Sequence, residues 1–312
     1  MEATQESTQP CTDPRRMGYG NSGLHDQDVA DLVCILHPNS LAAHEAVAAT
    51  ATLAPQHILQ RDALEHEYSD TSALDIALRM SSDVHDLGLG FTFGRSQARC
   101  DVLLAGDNAK RISNMHFRIY LTGDGIIMLE DTSTNGTLVD NHRLQKRLKD
   151  NSRMLTSGSV IEVVNGNQNS DEVKFVVRVP SREGFAMQYT ENMMKYLERI
   201  QKYEADNAKP KTRQVSSQPF LPWTVANGYG MHWTGGTMYN VTGQIGKGAF
   251  ATVYKVATKQ HGTVYAAKEL DKRRFMKDGI LDQKVDNEMK IMRDLKHVSI
   301  HVYSVSSSCT DL

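Results

Sequence analysis

Between residues 72 and 180 the chain reads as many short apolar or alternating segments cut by turn residues, and this pattern restricts the fold more than any other feature. The segments are 73–80 (ALDIALRM), 91–94, 102–104, 116–121 (HFRIYL), 126–130 (IIMLE), 137–139, 160–164 and 173–179 (VKFVVRV). Between them stand Gly123-Asp124-Gly125, Asn135-Gly136, Asp140-Asn141 and Asn165-Gly166-Asn167. Runs this short are too brief for helices, and the turn residues supply the backbone angles that tight reversals need. The expectation is an all-β sandwich over residues 71–180.

The rest of the chain is organised around that block. Residues 1–70 carry 3 basic and 11 acidic side chains, residues 71–180 carry 13 of each, and residues 238–312 carry 12 basic and 8 acidic. The first thirty residues are poor in bulky apolar groups and cannot offset their ordering entropy. An acidic, largely disordered leader is therefore expected over 1–70. Within it, Leu32 to Leu36 reads as a docked strand and 41–54 as a helix. Residues 189–204 change to helical period, with Tyr189, Met193, Tyr196, Leu197, Ile200 and Tyr203 on one face and Thr190 as N-cap. Prolines, serines and glycines through 205–237 read as a flexible linker, so that 181–237 is a helix plus linker. A final unit is expected over 238–312.

Composition excludes several classes. The formal net charge is −2, which argues against a chain built to coat nucleic acid or an anionic membrane. No run approaches the roughly 20 apolar residues of a membrane span, and the polar N-terminus does not read as a secretory signal. The cysteines, Cys11, Cys34, Cys100 and Cys309, form no Cys-x-x-Cys pair, so neither a zinc site nor a disulfide framework is expected.

Three motifs in the β-rich block suit phosphate recognition. Gly94-Arg95 ends one strand, Ser113-Asn114-Met115-His116 precedes another, and Asn135-Gly136-Thr137 forms a turn. A phosphate dianion offers three strong acceptor oxygens. Arg95 presents a planar fork to two of them, Ser113 adds a short hydroxyl donor, and the amides of Asn114 and Asn135 both donate and accept. Each motif is weak alone; in order, with Asp131-Thr132-Ser133-Thr134 beside the third, they resemble a forkhead-associated (FHA) domain, a phosphothreonine-peptide reader. The resemblance implies Arg95, Ser113 and Asn114 at the phosphate, with Lys110 or Arg111 adding charge, and Thr134 and Asn135 along the peptide. Gly94, His116 and Gly136 are expected to be structural, with His116 bracing the loops.

A second constellation opens the last unit. Residues 245–256 read IGKGAFATVYKV, in which Gly246 and Gly248 let backbone approach a phosphate and Ala251 stands where a third glycine is usual. Ala266 and Lys268 share one face of the strand-like 264–270. Glu288 lies twenty residues on, in an expected helix over 281–296 with Leu281, Val285, Met289, Met292 and Leu295 as its apolar stripe. This order resembles the N-lobe of a Ser/Thr protein kinase. The resemblance implies ATP contacts from Ile245, Gly246, Lys247, Gly248, Val253, Ala266 and Lys268, a Lys268–Glu288 ion pair, and ATP with Mg as cofactor.

An FHA domain followed by a kinase start resembles the DNA-damage and meiotic checkpoint kinases, with fungal members nearest in likeness. The fold class implied is multidomain, an all-β FHA sandwich plus a partial α+β kinase N-lobe, with disordered leader and linker. The family implies phosphothreonine-containing partners, a nuclear location, no direct nucleic acid or membrane contact, and self-association through phosphorylated Thr4 or Thr8, each followed by Gln. The basic run Lys272-Arg273-Arg274 with Lys277 reads as a solvated face rather than a nuclear signal. No His-Arg-Asp loop or Asp-Phe-Gly follows, and after His297 the sequence turns to a Ser-rich tail. The expectation drawn from this is a frame or exon change after His297, a catalytically incomplete chain with weak or absent nucleotide binding, and no metal site. The alternative is a non-catalytic phosphopeptide-binding adaptor.

Overall fold

A computed structural model of the chain describes residues 21, 24–60, 74–105, 111–146, 150–163, 172–207, 231, 233, 235–248, 251–270, 272–277 and 280–294. Thr4, Thr8, Lys110, the 165–167 turn, most of the 205–237 linker, Leu295 and the tail from 298 lie outside them, as do Cys11 and Cys309. The chain separates into two compact units near residue 226.

The first unit is a two-sheet sandwich. Its strands are β1 (Leu32–Pro38), β2 (Ile58–Gln60), β3 (Leu74–Arg79), β4 (Phe91–Gly94), β5 (Val102–Leu103), β6 (Phe117–Leu121), β7 (Ile127–Asp131), β8 (Thr137–Val139), β9 (His142–Leu144), β10 (Ser152–Met154), β11 (Val160–Val163) and β12 (Lys174–Arg178). One sheet has the order β2-β3-β1-β12-β11-β8-β9 and the other β10-β7-β6-β4-β5. Between them lie Phe91, Phe93, Phe117, Ile119, Ile161 and Phe175, all fully buried. The rings of Phe93 and Phe117 stack with centroids 4.5 Å apart. In β6 buried and half-buried residues alternate, the period-two pattern of a sheet with one face to the core.

Residues 24–60 correct the expected leader. They form α1 (Asp26–Asp31), β1, α2 (Leu41–Leu53), a short turn of helix at Pro55–His57, and β2. Strand β1 is interior, paired antiparallel with β12 on one side and β3 on the other. Leu32, Val33, Cys34, Ile35 and Leu36 are all solvent-inaccessible. Val33, Cys34 and Leu36 join the main core, while Leu32 and Ile35 pack on the opposite face with Leu59 and Ala77. A strand buried on both faces reads as a continuous apolar run without alternation, so its sequence signal is weak. The acidic groups around it are used locally: Asp28 pairs with Arg79 at 3.0 Å, and Asp31 accepts from Ser81.

Helix α2 begins where Ser40 Oγ accepts from the Ala43 amide at 3.1 Å. Its buried face is Ala43, Ala46, Val47 and Thr50, small enough to lie close against the sheet. Helix α3 runs Ala186–Asp206, three residues earlier than its periodicity suggests and two residues later. Thr190 is not its cap; the Thr190 hydroxyl donates to the Ala186 carbonyl one turn back. Tyr189, Met193 and Tyr196 enter the main core, so the expected connector helix is part of the sandwich unit. Arg182, 2 % exposed, anchors it: the guanidinium donates to the carbonyls of Val29, Leu32 and Val33 and lies 4.0 Å from the Tyr189 ring centre.

The second unit has a three-stranded sheet, β13 (Tyr239–Lys247), β14 (Ala251–Thr258) and β15 (Val264–Leu270), in that order. A short helix α4 (Lys272–Phe275) and a hairpin of β16 (Met276–Lys277) and β17 (Ile280–Leu281) lead to α5 (Gln283–Asp294). Leu281 therefore belongs to a strand and not to the helix stripe expected over 281–296. Val285 is buried; the side chains of Met289 and Met292 lie outside the described residues.

Candidate functional site

The three phosphate-suited motifs come together at one end of the sandwich. Strand β4 stops at Gly94, and the next two amides leave the sheet to bond the second motif: Arg95 N–H donates to the Ser113 carbonyl and Ser96 N–H to the Asn114 carbonyl, both at 3.2 Å. The approach at Gly94 is so close that a Cβ there would sit inside the contact distance of the Asn114 carbonyl and 2.9 Å from Cys100 Sγ. This is a packing reason for glycine, independent of φ. Cys100 Sγ donates to the same Asn114 carbonyl at 3.0 Å, and burial pushes its thiol up to about 12, so it stays protonated.

His116 ties the second motif to the third. Its Nδ1 accepts from the Ser113 amide at 3.2 Å, which leaves Nε2–H to donate to the Gly136 carbonyl at 3.2 Å. These two bonds fix the neutral tautomer with the proton on Nε2. Burial holds the imidazole below its ordinary pKa, against the smaller opposing pulls of the Gly136 carbonyl and the Asp131 charge. Its own amide donates to the Phe93 carbonyl at 2.6 Å and its carbonyl accepts from Thr132 at 2.9 Å. The ring is thus a rivet between the loops, on the core side of the site.

Ser113 also faces outward, where its Oγ accepts from the exposed Thr134 amide at 3.2 Å. The Asn135 side chain donates from Nδ2 to the Arg111 carbonyl at 2.8 Å. Gly136 has φ +97, and a Cβ there would meet the Leu144 carbonyl at 2.7 Å, so both angle and space demand glycine. Arg95 and Ser113 are half-buried and Asn114 is exposed, all on the surface that these loops make. The bonds among these loops bring the backbones that carry Arg95, Ser113, Asn114, Thr134 and Asn135 to one rim of the sandwich.

Sequence reasoning did not single out the hub beneath this rim. Asp131 is fully buried and accepts from the Ser133 amide at 3.0 Å, the Ser133 hydroxyl at 2.9 Å, the Thr137 hydroxyl at 2.6 Å and the Lys146 amide at 3.2 Å. Ser133 Oγ in turn accepts from the Gly136 amide at 2.7 Å. A buried carboxylate persists because these donors replace its water. The signal was present as an Asp flanked by Ser and Thr before an Asn-Gly turn.

In the second unit the β14–β15 register pairs Val253 with Lys268 and Lys255 with Ala266. Opposed residues share a face, so Val253, Ala266 and Lys268 lie together while Tyr254 and Val256 are buried on the other side. Lys268 is exposed on that open face. Before it, Ile245, Gly246, Lys247 and Gly248 form the end of β13 and its turn, where Gly248 N–H donates to the Ala251 carbonyl at 2.8 Å. A Cβ at Gly246 would meet nothing within 4 Å, so the chain's own packing leaves space beside this backbone. Glu288 falls on α5, but the expected Lys268–Glu288 pairing lies outside the described residues. Among the described residues no group of three His, Cys, Asp or Glu is placed to hold a metal, and no helix is long and apolar enough to cross a membrane.

The fold is a two-sheet all-β sandwich followed by a smaller sheet of the kinase N-lobe kind. Two family models agree, the FHA domain over residues 91–164 and the protein kinase domain over residues 239–310. The chain carries both, and it is homologous to two yeast kinases. Serine/threonine-protein kinase RAD53 of Saccharomyces cerevisiae is 31 % identical over 210 residues, covering 67 % of this chain and 23 % of that protein. Serine/threonine-protein kinase cds1 of Schizosaccharomyces pombe is 26 % identical over 233 residues, covering 71 % of this chain and 39 % of that protein. The chain thus spans well under half the length of either relative. Among solved structures, the N-terminal FHA domain of S. cerevisiae Rad53p, in complex with a phosphothreonine peptide, matches at 34 % identity over 30 % of this chain and 69 % of that one, with a TM-score of 0.26.

Proposed function

We propose that this chain is the reader and nucleotide-binding portion of a Ser/Thr protein kinase of the DNA-damage or cell-cycle checkpoint type. In this reading the sandwich binds phosphothreonine peptides. Arg95, Ser113 and Asn114 hold the phosphate, and Thr134 and Asn135 line the peptide. The observation that carries it is the convergence on Ser113: one residue accepts from Arg95 through its carbonyl, from Thr134 through its hydroxyl, and donates through its amide to His116, which reaches Gly136. Bracing of that kind pre-orders donors for a dianion, which lowers the entropic cost of binding.

Kinase homology and the open face of Val253, Ala266 and Lys268 support ATP with Mg as the cofactor of the whole protein. Lys268 would hold the nucleotide's phosphates and the Gly246–Gly248 turn would lie over them; bound ATP supplies the transferable phosphoryl group. Phosphotransfer to Ser or Thr in proteins, a nuclear location, and self-association by reading phosphorylated Thr4 or Thr8 in trans belong to the same proposal.

The test is a fluorescence-anisotropy titration of the 312-residue chain with a labelled phosphothreonine peptide library and its unphosphorylated counterpart. Binding should require the phosphate. Arg95→Ala should weaken it at least about tenfold, the value of one charge-assisted hydrogen bond. Equal binding by Arg95→Ala and wild type would remove Arg95 from the site. A chain that binds phosphopeptide but gives no Lys268-dependent binding of an ATP analogue would instead act as an adaptor.

A further inference from the structure

We propose that Arg143 is a positioning residue for phosphopeptide recognition, acting through the backbone carbonyl of Asn135. The inference rests on the phosphopeptide reading above. Arg143 lies on β9, which returns antiparallel to β8 through the tight turn at Asp140-Asn141. Both turn residues have positive φ, 51° and 64°, the geometry of a two-residue hairpin whose twist matches its strands. The hairpin brings the exposed Arg143 back over the residues that precede β8. Its Nη2 donates to the Asn135 carbonyl at 2.8 Å, and its Nε lies 3.3 Å from where a Cβ on Gly136 would stand. The guanidinium therefore runs across the Asn135-Gly136 peptide, in space that only a glycine leaves.

Asn135 is consequently held at both ends. Its side chain donates to the Arg111 carbonyl, 2.8 Å away, and its main chain accepts from Arg143. On the Gly136 side the peptide is fixed by Ser133 Oγ and His116. Arg143 supplies the outer fastening, the one made by a side chain in solvent. An exposed hydrogen bond adds little to folding stability, since water replaces it readily. Its effect falls instead on where Asn135 points. The Asn135 carbonyl and the Gly136 N–H belong to one planar peptide. Ser133 Oγ holds its inner edge and Arg143 its outer edge, so without Arg143 the plane is fastened on one side only and the direction of the Asn135 amide loosens. Arg suits the task better than a flexible ammonium because its planar fork loses less freedom per bond formed.

The experiment is a double-mutant cycle in the full 312-residue chain, with anisotropy titration of a phosphothreonine peptide and thermal denaturation run on every variant. Arg143→Ala should weaken binding about threefold to tenfold, the scale of one net hydrogen bond, with the melting temperature unchanged. Arg143→Lys, which keeps one donor, should recover part of the loss. In an Asn135→Ala background, adding Arg143→Ala should cost nothing more. Additive losses would overturn the proposal, because Arg143 would then act on the ligand by its own charge. A lowered melting temperature with coupled loss of all binding would also overturn it, assigning a structural role. If wild type binds no phosphothreonine peptide, the underlying site reading fails; if Asn135→Ala weakens binding and Arg143→Ala does not, only the role of Arg143 fails.

Discussion

Replacing His116 with alanine unties two loops at once. The imidazole is fully buried and satisfies the Ser113 amide on one side and the Gly136 carbonyl on the other. Each group left without a partner costs about 1–3 kcal/mol. The vacated ring volume adds a further ~1–2 kcal/mol, discounted from the larger values of bigger core side chains because the site lies at the core's edge. A total of about 3–8 kcal/mol would consume much of the roughly 5–15 kcal/mol that holds a domain together. Urea titration followed by circular dichroism should show the sandwich transition moved to markedly lower denaturant. Asn114→Ala is the control. That side chain is exposed, so stability should change by less than about 0.5 kcal/mol, yet phosphopeptide binding should fall. A His116→Ala protein within about 1 kcal/mol of wild type would refute the bracing argument. So would an Asn114→Ala protein that is destabilised as much as His116→Ala.

The same burial makes the sandwich acid-sensitive. His116 and His57 are both held below their ordinary pKa by burial, so the unfolded chain takes up their protons at higher pH than the folded one. Their contribution to stability is present above about pH 6.5 and is lost as pH falls below it, by at most about 1.4 kcal/mol per pH unit for each group. The urea midpoint near pH 5.5 should therefore lie below that near pH 7.5; equal midpoints would show that neither ring is held neutral. Arg182→Ala should destabilise the unit by about 2–4 kcal/mol, because buried carbonyls of Val29 and Leu32 lose their donors. Hydrogen exchange should then rise in α1, β1 and α3 together, and a rise confined to α3 would count against the anchor.

Much of the sandwich was legible in the chain because its strands face a core on one side only. The 116–121 segment alternates, and β6 occupies Phe117–Leu121 within it. The 137–139 segment is β8 as read. Strands β9 and β10 escaped, three residues each, because His142-Arg143-Leu144 and Ser152-Arg153-Met154 are too short and too polar for a pattern to emerge. The N-terminal region misled through composition. Its acidic residues averaged over seventy positions marked it as a leader even though Leu32 to Leu36 reads as a docked strand, and only pairing with β12 and β3 makes that run an interior strand of the sandwich.

The residues proposed to bind were readable in the sequence itself. Arg95, Ser113, Asn114, Thr134 and Asn135 are chemically apt for a phosphorylated peptide wherever they stand, and their order between strands is readable one residue at a time. So are the Gly246–Gly248 turn and the strand phase that puts Ala266 and Lys268 on one face. What tertiary structure alone decided is how the rim is held. Asp131 as a buried acceptor, the tautomer of His116, the close approach at Gly94 and the Arg143 fastening of Asn135 all join residues distant along the chain or on different strands. Such bonds depend on register and on distances of a few tenths of an ångström. Local composition carries no record of either, since a one-residue slip in a strand would send every one of these side chains to the opposite face.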